Sequence, residues 1–204
     1  MSDSNYIDLI NEYINLTGKI DFLESKEFYN KLFFTYPSTC LELDCISEII
    51  NSIANEFKVP YHDIKIIGSS HLGFSLVKPA ESNSIKFFDN TTSDIDIAII
   101  NKELFYDIFL ISMKTSKFFK DLTDFKDKNS ANYYKKNLLT GFIRPDTMGN
   151  KSFRTKWLRF FDDISKEYNM KISAAIYLDK ECLHNRLENS FKKYIERMNI
   201  NGVK

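Results

Sequence analysis

The sequence predicts an α/β domain: a small mixed β-sheet flanked by helices, with an N-terminal helical layer. Three observations carry that prediction. Apolar residues recur at helical spacing through the first sixty positions. The period then falls to two in isoleucine-rich runs at 64–67 and 94–100. The second half alternates helical stretches with one more such run, 172–178. Residues 1–60 are therefore read as a helical segment packed on the core and 61–204 as the α/β domain, together one compact unit.

Each element has a local reason. Ile46, Ile49, Ile50, Ile53 and Phe57 define an amphipathic helix over 41–57, with Ser38 or Thr39 as its cap. The stretches 6–15 and 25–35 read as earlier helices, and Pro60 ends the helical run. Ile64, Ile66 and Ile67 form a short strand that stops at Gly68-Ser69-Ser70. Residues 78–93, rich in serine, asparagine and threonine around Pro79, read as a long surface loop. Asp94 to Ile100 is the second strand and 104–113 a helix; a charged linker then runs to about Asn132. Residues 152–168 carry Trp157, Phe160, Phe161 and Ile164 on one helical face. Residues 172–178 make the third strand and 180–198 the closing helix.

Composition excludes several classes. The 28 basic and 28 acidic residues leave no general positive coat for nucleic acid. No apolar run is long enough to span a bilayer, so membrane insertion is not expected. The N-terminus lacks a secretory pattern, and three cysteines make no disulfide framework; both favour a cytoplasmic setting. Cys40 and Cys45 have no neighbouring ligands to complete a zinc set.

The chemistry concentrates at Asp94 and Asp96. Residues two apart on a strand share a face, so both carboxylates project together while Ile95, Ile97 and Ile99 enter the core. Two adjacent carboxylates repel each other and resist burial, and a hard cation such as Mg2+ or Mn2+ relieves both costs. The bland alternative is a strand face that merely carries two acids. Gly68 permits close backbone approach, and Ser69 offers a hydroxyl beside the N–H groups that open the next helical turn; phosphate suits such a place. The alternative there is an ordinary strand-to-helix turn.

Taken together, a strand ending in Gly-Ser and a later strand bearing Asp-x-Asp resembles the core motif of the DNA polymerase β-like nucleotidyltransferase superfamily. The resemblance covers 64–100 and, more loosely, the strand at 172–178. Gly-Ser-Ser-His-Leu-Gly-Phe-Ser-Leu, Ser-Asp-Ile-Asp-Ile-Ala-Ile-Ile and Ile-Arg-Pro-Asp at 143–146 look like a bacterial standalone branch, often found in phage-defence or toxin–antitoxin loci. The resemblance implies a nucleotidyltransferase-like domain over 61–204, a two-metal site and binding of an NTP or dNTP. It implies transfer of a nucleoside monophosphate to a hydroxyl on protein, nucleic acid or nucleotide, and a possible partner protein encoded nearby. Gly68, Ser69, Ser70 and His71 take the nucleotide-binding role, and Asp94 and Asp96 the metal role. Arg144, ahead of the rigid Pro145-Asp146 turn, either reaches phosphate with its forked guanidinium or pairs with Asp146 or another acid.

Three departures matter. The stretch from Ser70 to Ser93 is longer than the family's usual spacing. The basic residue that often follows Gly-Ser is replaced by His71, with Lys78 or Lys86 as substitutes. The strand at 172–178 contains no acid: Ser173 holds the expected place and Asp179 lies at the end, so either Asp179 is the third catalytic acid or that acid is absent. Absence supports the rival reading, a non-catalytic relative that binds nucleotide or serves as an antitoxin or partner-binding module.

Overall fold

Residues 4–17, 26–38, 40–79 and 85–200 are described by the structure, a computed structural model of the chain. Helices α1 (Ser4–Thr17) and α2 (Lys26–Asn30), the latter continuing as a π-helical turn to Thr35, precede the amphipathic α3 (Leu43–Phe57). Strand β1 (Ile64–Ile67) leads through Gly68 into the single turn α4 (Ser69–Leu72). Strands β2 (Phe74–Pro79), β3 (Ile85–Phe87) and β4 (Ile95–Ile100) follow, then α5 (Lys102–Thr115) and α6 (Lys128–Leu138). Strand β5 (Phe142–Ile143), α7 (Lys151–Glu167), β6 (Ile172–Tyr177) and α8 (Lys180–Ile200) complete the chain. No helix among the described residues is long and apolar enough to cross a membrane.

The main sheet has the order β1-β4-β6-β5. Strand β4 runs antiparallel to β1, with Asp96 opposite Ile67, and parallel to β6, with Asp96 opposite Ser173. Strand β5 is antiparallel to β6. Both faces of the sheet are covered, which is why β4 and β6 are apolar on both sides. Ile95, Ile97 and Ile99, with Ile172 and Ile176, pack against Ile49 and Ile53 of α3, Ile108 of α5 and Trp157 and Phe161 of α7. The opposite face sends Ala98, Phe142 and Tyr177 into a second cluster. Tyr6 and Ile10 of α1, Tyr29 of α2, and Leu187 and Phe191 of α8 line that cluster. Helices α1, α2 and α8 thus cover the face from which Asp96 projects, and α3 the other.

Four expectations need correction. The stretch 78–93 is not all loop: β2 and β3 pair as a separate hairpin, with 80–84 outside the described residues. Phe74 and Leu76 alternate inward there, a period-two signal hidden by the polar residues around it. The charged linker contains α6, whose inward face is little more than Ala131 and Tyr134, both buried; two anchors give too weak a period to read from sequence. Asp94 lies just before β4 rather than within it. Helix α3 begins at Leu43 with Glu42 as N-cap and no side-chain cap, while Ser38 bonds the His71 ring instead; Thr39 is outside the described residues.

Candidate functional site

The C-terminal end of β1 and the N-terminal ends of β4 and β6 meet at one cleft, as antiparallel and parallel pairing require. Gly68, Ser69, Asp94, Asp96 and Ser173 line it, with Lys78 and Lys86 from the hairpin and Arg144 and Arg186 from the far side; its volume is about 340 Å3. Gly68 adopts φ 69°, ψ −152°, a region essentially reserved for glycine. A Cβ there would lie 2.6 Å from Asp96 Oδ2. The turn therefore sits against the carboxylate only because residue 68 has no side chain. Upstream of β4, the Asp89 carboxylate accepts from Thr91 N at 2.7 Å and Thr92 N at 3.2 Å, a side-chain turn that delivers Asp94 to the cleft mouth.

The electrostatics of the two acids differ. Burial pushes the Asp96 carboxyl above the usual carboxylate range, and the neighbouring Asp94 charge adds to it. Ser173 Oγ, 3.4 Å from Asp96 Oδ1, and the charges of Lys78 and Arg144 pull the other way. Asp94, nearer solvent, accepts from Lys171 Nζ at 2.9 Å. Lys171 is held beside it because its backbone carbonyl accepts from Ile95 N at 2.7 Å. Arg144 forks onto Asp146, with Nε to Oδ1 at 3.1 Å and Nη2 to Oδ2 at 2.7 Å. Burial opposes its charge, but Asp146 and Tyr133 together hold the guanidinium above its ordinary value.

Of the residues named from sequence, Gly68, Ser69, Asp94, Asp96 and Arg144 share the cleft. Ser70, His71 and Asp179 do not line it. Ser70 is fully buried, and its hydroxyl donates to Ile67 O at 3.1 Å. His71 turns into the core between Leu32 O at 2.7 Å and Ser38 Oγ at 3.0 Å, against the Phe33 ring. Burial lowers its proton affinity. Successive side chains of this single turn are rotated about 100° apart, so Ser69 and Leu72 line the cleft while Ser70 and His71 turn away from it. Asp179 lies beyond the far end of β6, six residues past Ser173 or roughly 20 Å along the strand direction. Its Oδ1 accepts from Cys182 N at 2.8 Å and caps α8.

The site also holds side chains that sequence reasoning left out. Lys171 has no signal beyond its place before an apolar run. Arg186 has none, since α8 is polar over much of its surface.

For a divalent cation the donor set fits in part. Two carboxylates and the Ser173 hydroxyl are hard oxygen donors at one cleft, and magnesium is commonly held by one or two carboxylates with the rest supplied by water and phosphate. Among the described residues, Asp94 and Asp96 are the acids that line the cleft. Among the described residues no group of three or more His, Cys, Asp or Glu side chains gathers to hold a metal. Set against known protein families, curated proteins and solved structures, the chain matches none.

Proposed function

We propose that this chain is a nucleotidyltransferase that binds an NTP or dNTP with Mg2+ or Mn2+ at Asp94 and Asp96. In this reading it transfers the nucleoside monophosphate to a hydroxyl acceptor. The observation that carries the reading is the side-chain-free contact between Gly68 and Asp96 in a cleft ringed by Lys78, Lys86 and Arg144. A buried carboxylate beside another carboxylate, with cations on the surrounding walls, suits a ligand that brings both a metal and phosphates. The cation would supply charge neutralisation at the phosphate oxygens.

The chain's own residues have separate tasks. Asp94 and Asp96 would hold the cation, with Lys171 releasing the Asp94 oxygen that it bonds in this structure. Ser69 donates its hydroxyl to a phosphate oxygen, with Lys78 and Lys86 facing the same group across the cleft. The acceptor hydroxyl oxygen bonds to the α-phosphorus and gives its proton to water, the bond from that phosphorus to the bridging oxygen breaks, and pyrophosphate leaves. Positioning and charge placement, rather than covalent chemistry, carry such a transfer.

A second reading, nucleotide binding without turnover, is favoured by one observation: Ser173 stands opposite Asp96 where a third acid would complete a two-cation site. Both readings require the carboxylate pair. Magnesium with a nucleoside triphosphate should raise the melting temperature by mass action, and Asp94→Asn with Asp96→Asn should abolish that rise. Labelled triphosphate with Mn2+ then separates the two: a pyrophosphate product supports transfer, and binding without product supports the second reading. A melting rise that survives the double change would refute both.

A further inference from the structure

The cleft continues past the carboxylates along the face of the sheet toward Phe142, and its far end is built differently from its mouth. Its floor there is Ala175 of β6, and Leu187 of α8 forms a wall. The charged group at this end is Arg186, whose guanidinium carbon lies 3.7 Å from the centroid of the Phe142 ring. Arg186 Nη1 donates to Asn137 Oδ1 at 3.3 Å, and Asn137 Nδ2 in turn donates to Tyr133 O at 2.8 Å. The amide is thereby oriented to accept from the guanidinium. No carboxylate of the described residues forms an ion pair with Arg186.

A guanidinium flat against an aromatic ring, fixed by a neutral amide and facing a cleft, is a preorganised planar fork of donors. Phe142 pairs with Tyr177, four residues beyond Ser173 on β6, so the fork stands roughly 13 Å along the strands from the carboxylates. Lys78 and Arg144 are the cations whose charge reaches Asp96. Phosphates at the Asp96 end would thus find their positive charges at the mouth. The far end offers a flat ring the apolar surfaces of Ala175 and Leu187, beside the Arg186 guanidinium that covers the buried Phe142 ring.

We propose that this far end is a nucleobase subsite in which Arg186 reads a ring carbonyl, so the site prefers guanine, accepts pyrimidines less well and rejects adenine. The inference rests on the nucleotide reading of the cleft. Guanine presents O6 and N7 as adjacent acceptors for the fork, whereas adenine opposes it with its exocyclic amine, donor against donor.

Calorimetric titration of the full chain with Mg2+ and non-hydrolysable GTP, UTP and ATP analogues tests it, using the wild type, Arg186→Gln and Arg186→Lys. The wild type should bind the GTP analogue about tenfold or more tightly than the ATP analogue. Both substitutions should collapse that gap; lysine keeps the charge over Phe142 but loses the planar fork. The wild-type ratio needs no variant to fold. Equal affinities for the three analogues in the wild type would overturn the base subsite and leave the nucleotide reading standing. The base subsite falls equally if both variants weaken all three analogues alike, since Arg186 would then serve phosphate or packing. No binding of any analogue to the wild type overturns the nucleotide reading and this inference with it.

Discussion

Asp96→Asn should make the metal-free protein more stable, although it removes the residue at the centre of the proposed site. Asp94 and Asp96 are two residues apart at the start of a strand, a separation of roughly 7 Å. Two unit charges at that distance repel by about 2.4 kcal/mol at an effective dielectric constant of ~20. Losing the attraction of Lys78 and Arg144 and weakening the Ser173 contact offsets part of this. Asparagine keeps the shape and an acceptor oxygen for Ser173, so the net gain is about 1–2 kcal/mol. For a chain of this length that is a melting temperature higher by about 3–6 °C.

The pH dependence fixes the cause. Folding raises the Asp96 carboxyl above its ordinary value of 3.8, so the ionised form costs stability at neutral pH. That cost fades as pH falls through the raised folded value toward the unfolded one. The advantage of Asp96→Asn should therefore be full at neutral pH and shrink on acidification. Differential scanning fluorimetry of both proteins across that range, without divalent cations, reads it directly. A variant no more stable than the wild type at neutral pH would show that Asp96 is not held at a cost, and the argument from repulsion and burial would fail.

Two further substitutions probe the frame around the site. Gly68→Ala places a Cβ 2.6 Å from Asp96 Oδ2 at a positive φ, so it should lose about 1–3 kcal/mol and lower the melting temperature by at least about 3 °C. A neutral result would mean the turn relaxes freely and does not fix the carboxylate. Asp179→Ala removes the cap of α8 and should cost about 0.5–2 kcal/mol in denaturant melts, while the stabilisation by magnesium and nucleotide stays intact. Loss of that ligand effect would return Asp179 to the site.

Local pattern determined much of this protein. The isoleucine alternation at 64–67, 95–100 and 172–177 specified the main strands, because a period of two on a buried sheet leaves little freedom of register. Gly68-Ser69 and Asp94-x-Asp96 were readable as chemistry because each is contiguous. Tertiary structure decided what contiguity does not carry. The parallel pairing of β4 with β6 brings Ser173 opposite Asp96 and sends Asp179 to the other end of the sheet. Side-chain rotation in α4 buries Ser70 and His71 beside Ser69. Lys171 and Arg186 reach the cleft from elements distant in sequence, and no local period marks them. A strand dictates which face its own residues share; which other residues meet that face depends on the order and direction in which the strands are paired.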